Sequence, residues 1–334
     1  MDPPTPSPVS SVPAPLPVKI PRRSDHHRWG DRIFYGLVFA VGLSVIGLAL
    51  AIVVSLVYSS QQSFRVFGWS FLWGTVWNPT PTDTGPFGVV PFIAGTLVTS
   101  AIALFIAIPL ALGAAIFLTT HCPRWLRGPA GTAIELLAAV PSVIYGFWGL
   151  FIVHPYMAST VEPGLKKYLG FTGLFNGTPI GIDVLTAGLI LAVMIVPTIC
   201  AVSRDTLLAV PQAQKEAALS LGATDWETTR VASIPYARSG IIGGIILGLG
   251  RAMGETMAVV MVIGDTDKVP TSLFSQGQTI ASLIANELLS NQGPLQISAI
   301  LEAGLVLLFI SLMVNVGARL LVWRVLRGGG GIVE

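Results

Sequence analysis

The feature that most limits how this chain can fold is a series of six long apolar runs. They occupy residues 33–58, 89–118, 132–153, 182–200, 241–263 and 297–323. A helix needs roughly 20 apolar residues to cross the hydrocarbon core of a bilayer. The spacing therefore predicts an all-α membrane protein with six transmembrane helices. Composition agrees: 11% of the 334 residues are charged, against roughly 25% in soluble domains. The mean hydropathy is +0.74, so the chain needs lipid around it. No small-residue cleavage site follows residue 58, which makes the first run an uncleaved anchor and not a signal peptide.

Charge placement orients these spans. Lys19, Arg22, Arg23, Arg28 and Arg32 precede the first. Arg124 and Arg127 follow the second, and Arg204, Lys215, Arg230 and Arg238 follow the fourth. Arg319, Arg324 and Arg327 close the chain. The alternate loops hold only Arg65, Lys166, Lys167 and Lys268. Basic residues collect on the cytoplasmic side, so both termini are expected there. Residues 1–31 are rich in Pro, Ser and Val and are expected to be a disordered cytoplasmic tail. The six-span membrane body then runs over 32–327, with a short cytoplasmic tail at 328–334. His26-His27 in the basic tail reads as solvated, not as a metal site, and Cys122 and Cys200 read as free thiols. Residues 59–88 carry Phe64, Phe67, Trp69, Phe71, Trp73 and Trp77, a density that suits the membrane–water interface.

One cation belongs to neither side. Arg251 lies near the middle of the fifth run, in GLGRAMGE. A charge at the bilayer centre costs about 2.5–3.5 kcal/mol on insertion scales. Glu255, four residues on, lies on the same helical face and is positioned to pair with it. The pair either fixes helix packing or serves a substrate path, where a guanidinium fork suits an oxyanion. Gly240, Gly244 and Gly248 recur every fourth residue, as do Gly250 and Gly254, a spacing that lets helices approach closely in lipid. In the third run Pro141 is expected to kink the helix. Ser142 can satisfy a freed carbonyl or face a path. Thr96 and Ser100 in the second run can line a path or bond back to their own helix. Glu135 and Glu302 lie near span ends.

Residues 212–235, QAQKEAALSLGATDWETTRVASIP, form a long polar interval between two apolar runs. Pro211 suits a helix start. Gly222 can take the left-handed conformation that ends one. Thr224-Asp225-Trp226-Glu227 fits a capping box. The reading is a short helix, a glycine corner and a second short helix, whose continuation Pro235 limits. Such a pair suits mechanical contact with another protein; a solvated loop is the plain alternative.

Among the motifs that are missing, none of the five lysines is followed by Ser or Thr, so there is no P-loop. There is also no metal-ligand cluster. The chain is thus not expected to be an enzyme, and no cofactor is expected on it.

Glu216-Ala217-Ala218 with Gly222 and Ile234-Pro235 resembles the EAA loop of ABC-importer permeases. LLAAVPSVIYGFWGL (residues 136–150), GLGRAMGETMAV (248–259) and FGWSFLWGTVWNP (67–79) resemble the C-type (PstC-type) permeases of bacterial phosphate importers. The resemblance implies the type I ABC importer permease fold, with cytoplasmic coupling helices, in the bacterial inner membrane. It implies a second permease (PstA-like), an ATPase dimer (PstB-like) that uses ATP and Mg, and a phosphate-binding protein (PstS-like). Arg251, Glu255, Ser142 and Thr96 are then expected at the phosphate path or its gate. Glu216, Ala217, Ala218 and Gly222 are expected at the ATPase contact. A permease for molybdate or sulfate, or a non-transporting scaffold or sensor, are the competing readings.

Overall fold

The computed structural model describes residues 26–78, 85–288 and 293–328. Residues 1–25 of the expected tail and 329–334 at the other end lie outside the described residues. In chain order the helices are α1 (His26–Ser59), α2 (Gln61–Phe67), α3 (Ser70–Trp73), α4 (Val90–Ile116) and α5 (Arg124–Ala138). There follow α6 (Ser142–Trp148), α7 (His154–Tyr156), α8 (Glu162–Leu169), α9 (Val184–Leu208) and α10 (Gln212–Ser220). The last are α11 (Asp225–Thr228), α12 (Ile234–Met253), α13 (Met257–Ile263), α14 (Ile280–Glu287) and α15 (Pro294–Gly328). Short π-helical turns join several of them, including Thr229–Ser233 between α11 and α12.

Contacts divide the chain into Met1–Val53 and Val54–Glu334. What is described of the first unit is most of α1, which exposes Leu37, Phe39, Ile46 and Leu48 alike. Apolar on all sides, it is a lipid-facing span. It starts at His26, inside the stretch expected to be tail.

Five helices are long and apolar enough to cross a membrane: Trp29–Ser59, Val90–His121, Val184–Leu208, Asp225–Met253 and Pro294–Leu320. The sixth expected span is a broken pair, Arg124–Ala138 and Ser142–Thr172, bent by 89°. Pro141 causes more than the expected kink. It has no N–H to continue the α-helical ladder and disfavours helical geometry at the residue before it. The last turn of α5 tightens instead, with Ala139 N donating to Leu136 O at 3.1 Å and Val140 N to Leu137 O at 3.3 Å.

Within the second unit α9 is the central helix. Its Ile190, Leu191, Met194, Ile195 and Ile199 are fully buried, and it packs against α4, α5, α12 and α13. The α9–α12 contact is a glycine seam. A Cβ on Gly240 would meet Thr206, one on Gly244 would meet Val202, and one on Gly248 would meet Ile199. Gly250 does not share that role: a Cβ there would meet nothing within 4 Å. The fifth span is not continuous to residue 263, as the apolar run implied. It stops at Met253 and restarts at Met257.

A second core gathers Phe71, Trp77, Phe87, Val89 and Phe92 with residues of α14 and α15. Trp77 meets Phe87 edge-on at 4.8 Å and Phe92 at 5.1 Å. Its indole N–H donates to both Glu287 oxygens at 3.0–3.1 Å. Only part of the aromatic loop therefore suits an interface: Trp69 and Trp73 are exposed, whereas Phe71 and Trp77 are core.

Candidate functional site

The break after α5 and the break after α12 meet at one arginine. Arg251, in the last turn of α12, donates from Nη1 to Ala138 O at 3.2 Å and to Thr198 Oγ1 at 3.2 Å. Ala138 is the last residue of α5, and its carbonyl is orphaned because the helix ends there. Leu137 O is taken by Tyr145 Oη at 2.9 Å. The guanidinium thus sits at the carbonyl ends of two helices, α5 and its own α12. Helix C-termini carry partial negative charge and favour cations. Arg251 is compensated without a carboxylate.

The expected Arg251–Glu255 pair does not form; among the described residues no ion pair joins them. The reason is the break at Gly254, which ends the helical register that would have placed both on one face. Glu255 lies at the start of α13, where Oε1 accepts Ala258 N at 3.3 Å. A carboxylate at that end suits the helix dipole.

Arg251 opens on a cavity of about 810 Å³. Thr198 of α9, Gly243 and Gly250 of α12, and Asn315 and Arg319 of α15 line it with apolar neighbours. The other expected path residues lie elsewhere. Thr96 is buried; it donates to Phe92 O at 2.7 Å and accepts Ile280 N at 3.0 Å, tying α4 to the start of α14. Ser142 begins α6 and is half-buried, and its hydroxyl makes no hydrogen bond among the described residues. The freed carbonyls it was expected to satisfy go to Tyr145 and Arg251. Neither Thr96 nor Ser142 lines the Arg251 cavity. Glu135 pairs with Arg204 at 2.7 Å. Glu302 is buried and faces a separate, mostly apolar cavity of about 440 Å³.

Sequence reasoning missed Thr198, Asn315 and the shared role of Arg319. Thr198 directly follows Pro197 in α9, a polar residue in an apolar run and the one available signal. It also missed a pair of fully buried carboxyls, Glu162 of α8 and Asp183 at the start of α9. Asp183 caps α9 by accepting Thr186 N at 2.8 Å. Burial pushes its carboxyl up to about 7; the neighbouring Glu162 carboxyl adds to the rise, and the Thr186 amide opposes it.

The polar interval folds as its local chemistry requires. α10 spans Gln212–Ser220, and Gly222 turns the chain at φ 87°. Thr224 Oγ1 accepts Glu227 N, and Glu227 Oε2 accepts Thr224 N, completing the capping box. Glu216, Ala217 and Gly222 are exposed and Ala218 is half-buried. Leu221 is 90% exposed and Trp226 56%, a bare apolar corner. Pro235 does not stop the second helix. The π turn Thr229–Ser233 absorbs it, and Asp225–Met253 runs on as one helix of 29 residues.

Residues 107–327 match the model of the family described as binding-protein-dependent transport system inner membrane component. The chain is similar to the phosphate transport system permease protein PstC of Pasteurella multocida, 50% identical over 83% of this chain and 87% of that one. Its likeness to the protein of that name in Haemophilus influenzae is 45%, over 91% and 96%. Among solved structures it is similar to a chain of a bacterial ABC transporter involved in import of the polysaccharide alginate. There the TM-score is 0.57 at 16% identity, covering 89% of this chain and 99% of that one, which supports the fold alone. The chain therefore belongs to the family of binding-protein-dependent transport system inner membrane components.

Proposed function

We propose that this multi-pass inner-membrane permease carries inorganic phosphate as one half of an ATP-driven importer. A family member of this kind is a transport subunit and not an ATPase, so hydrolysis belongs to another chain, where ATP and Mg are used. The observation that carries the reading is an arginine in mid-membrane, open to a cavity, whose charge is held by carbonyl and hydroxyl groups. Because no carboxylate occupies it, its donors remain suited to an oxyanion. Phosphate is chosen among oxyanions by the names of the relatives.

In this reading the partners are a related permease (PstA-like), an ATPase dimer (PstB-like) and a phosphate-binding protein (PstS-like) on the outer face. Both termini and residues 212–235 face the cytoplasm, on the charge distribution given above. The corner of exposed Glu216, Ala217 and Gly222 and half-buried Ala218, with Leu221 beside it, docks on the ATPase. Closure of the ATPase dimer moves α10 and the Asp225–Met253 helix, and Arg251 compensates the passing anion without holding it tightly. Ser142, at the break beside α5, and Glu255, at the head of α13, shape the path's flexible joints; Thr96 supports its wall.

Phosphate uptake into vesicles holding all four components tests this. ATP-dependent accumulation, lost in Glu216→Lys, is the expected result. Accumulation of sulfate or molybdate instead keeps the mechanism and changes the substrate. An intact assembly with no ATP-dependent transport would overturn the reading.

A further inference from the structure

Arg319 of α15 lines the Arg251 cavity and also a smaller neighbouring one of about 230 Å³ with Ser239, Gly243 and Ile246. Gly243, Ile246 and Arg319 are common to both. The two spaces thus follow one face of α12 from Gly250 and Arg251 back to Ser239, near its first turns. This face differs from the seam. A Cβ on Gly243 or Gly250 would meet nothing within 4 Å, whereas those on Gly240, Gly244 and Gly248 would meet α9. One face of α12 is packed and the other lines open space.

An arginine towards the end of a span commonly turns its head to the lipid headgroups. Arg319 is exposed, and it also lines the cavity of Arg251. Among the described residues it has no hydrogen-bond or ion-pair partner. Asn315, one turn before it, donates one Nδ2 hydrogen to Ser311 O at 2.8 Å and keeps the other. The donors left to this groove are the two guanidinium groups, the second amide hydrogen of Asn315 and the Thr198 and Ser239 hydroxyls.

We propose that Arg319 is a second oxyanion-binding residue, which takes a tetrahedral anion between Arg251 and the Ser239 end of α12. This deepens the transport reading above and rests on it. Two guanidinium groups spaced along one groove solve a physical problem of conduction. A site must bind well enough to admit the ion and weakly enough to release it, and several modest sites do this where one deep site would trap.

The test uses the complete four-component assembly carrying Gly243→Cys, a position with room for a side chain. Cys122 and Cys200 are buried, so a thiol reagent reports the new position. Labelling is followed with inorganic phosphate, sulfate, molybdate or chloride at matched ionic strength. The expected result is slowing by phosphate and not by chloride. Arg319→Gln should weaken that protection about tenfold, as for loss of a hydrogen bond to a charged group, and Arg319→Lys should restore part of it. Protection that survives Arg319→Gln, or equal slowing by chloride, overturns the proposal. So does a lack of labelling both with and without ATP, since a path position meets solvent at some stage of the cycle. Protection by sulfate or molybdate but not phosphate supports the oxyanion site and removes only the phosphate assignment.

Discussion

Arg251 shows how a charge is kept in a membrane without a counter-ion. The terminal carbonyl of α5 and a hydroxyl hold it, and its side chain lines the cavity. Arg251→Ala should leave the assembled complex intact and lower phosphate uptake at least about tenfold, the loss expected for a charge-assisted contact made in transit; wild-type uptake from an intact assembly would refute its role. Glu255 accepts the Ala258 amide of α13 and makes no ion pair with Arg251 among the described residues. Glu255→Ala should therefore slow uptake while Glu255→Gln, which keeps an acceptor for the Ala258 amide, largely restores it; equal damage by both would point to a need for the charge. Asp183 gives a pH dependence. Burial pushes its folded carboxyl up from 3.8 to about 7, so between those two pH values the folded state holds a proton that the unfolded state has lost. Stability then falls as pH rises through that window and stays low above it. Asparagine also caps helices well, so Asp183→Asn should raise the Tm at pH 8 by about 2–4 °C for each kcal/mol recovered and should flatten the slope; a Tm unchanged at pH 8 would exclude the effect. Arg251 was legible because a lone charge in an apolar run is visible by inspection. Its partners were not, since Ala138 lies 113 residues away and becomes an acceptor only because Pro141 ends α5.

The helices show a similar division between local and distant causes. Gly222, Thr224 and Glu227 were readable because their hydrogen bonds close within a few residues. The interruption at Gly254 was not, because the apolar character of the run continues on both sides of it. The two faces of α12 were half legible. Spacing marked Gly240, Gly244 and Gly248 as a seam, but only the fold separates them from Gly250. Gly248→Leu should cost roughly 1–3 kcal/mol by overpacking against Ile199 and lower the yield of folded protein, whereas Gly250→Ala should be tolerated in a thermal-melt comparison. Equal loss in both would mean that the open face is also packed. Gly222→Ala places a Cβ at φ 87°, a conformation costing roughly 1–2 kcal/mol for other residues. The expected outcome is weaker ATP-driven uptake with an intact transmembrane body, checked by comparing uptake with the melting temperature of the assembly.

For the molecule as a whole, the apolar runs announced six spans, of which the structure keeps five as single long helices and breaks the third into two pieces. They did not announce which span would be central, because all six are apolar enough to be buried. The choice of α9 depends on which faces carry small residues, and on the breaks that bring α5 and α13 against it. The aromatic loop divided between surface and core for the same reason: Trp77 finds Glu287 only when the chain has returned 210 residues later. One consequence follows from the π turn at Thr229–Ser233. By carrying α11 into α12 without a joint, it makes Asp225–Met253 one continuous helix, which in the proposed transport cycle is a single lever turning at the Gly222 corner. At 1.5 Å per residue, Arg251 sits about 39 Å from Asp225 along that arm. A tilt of about 5° at the Asp225 end would sweep the guanidinium through about 3 Å, as far as it now stands from the two oxygens that hold it.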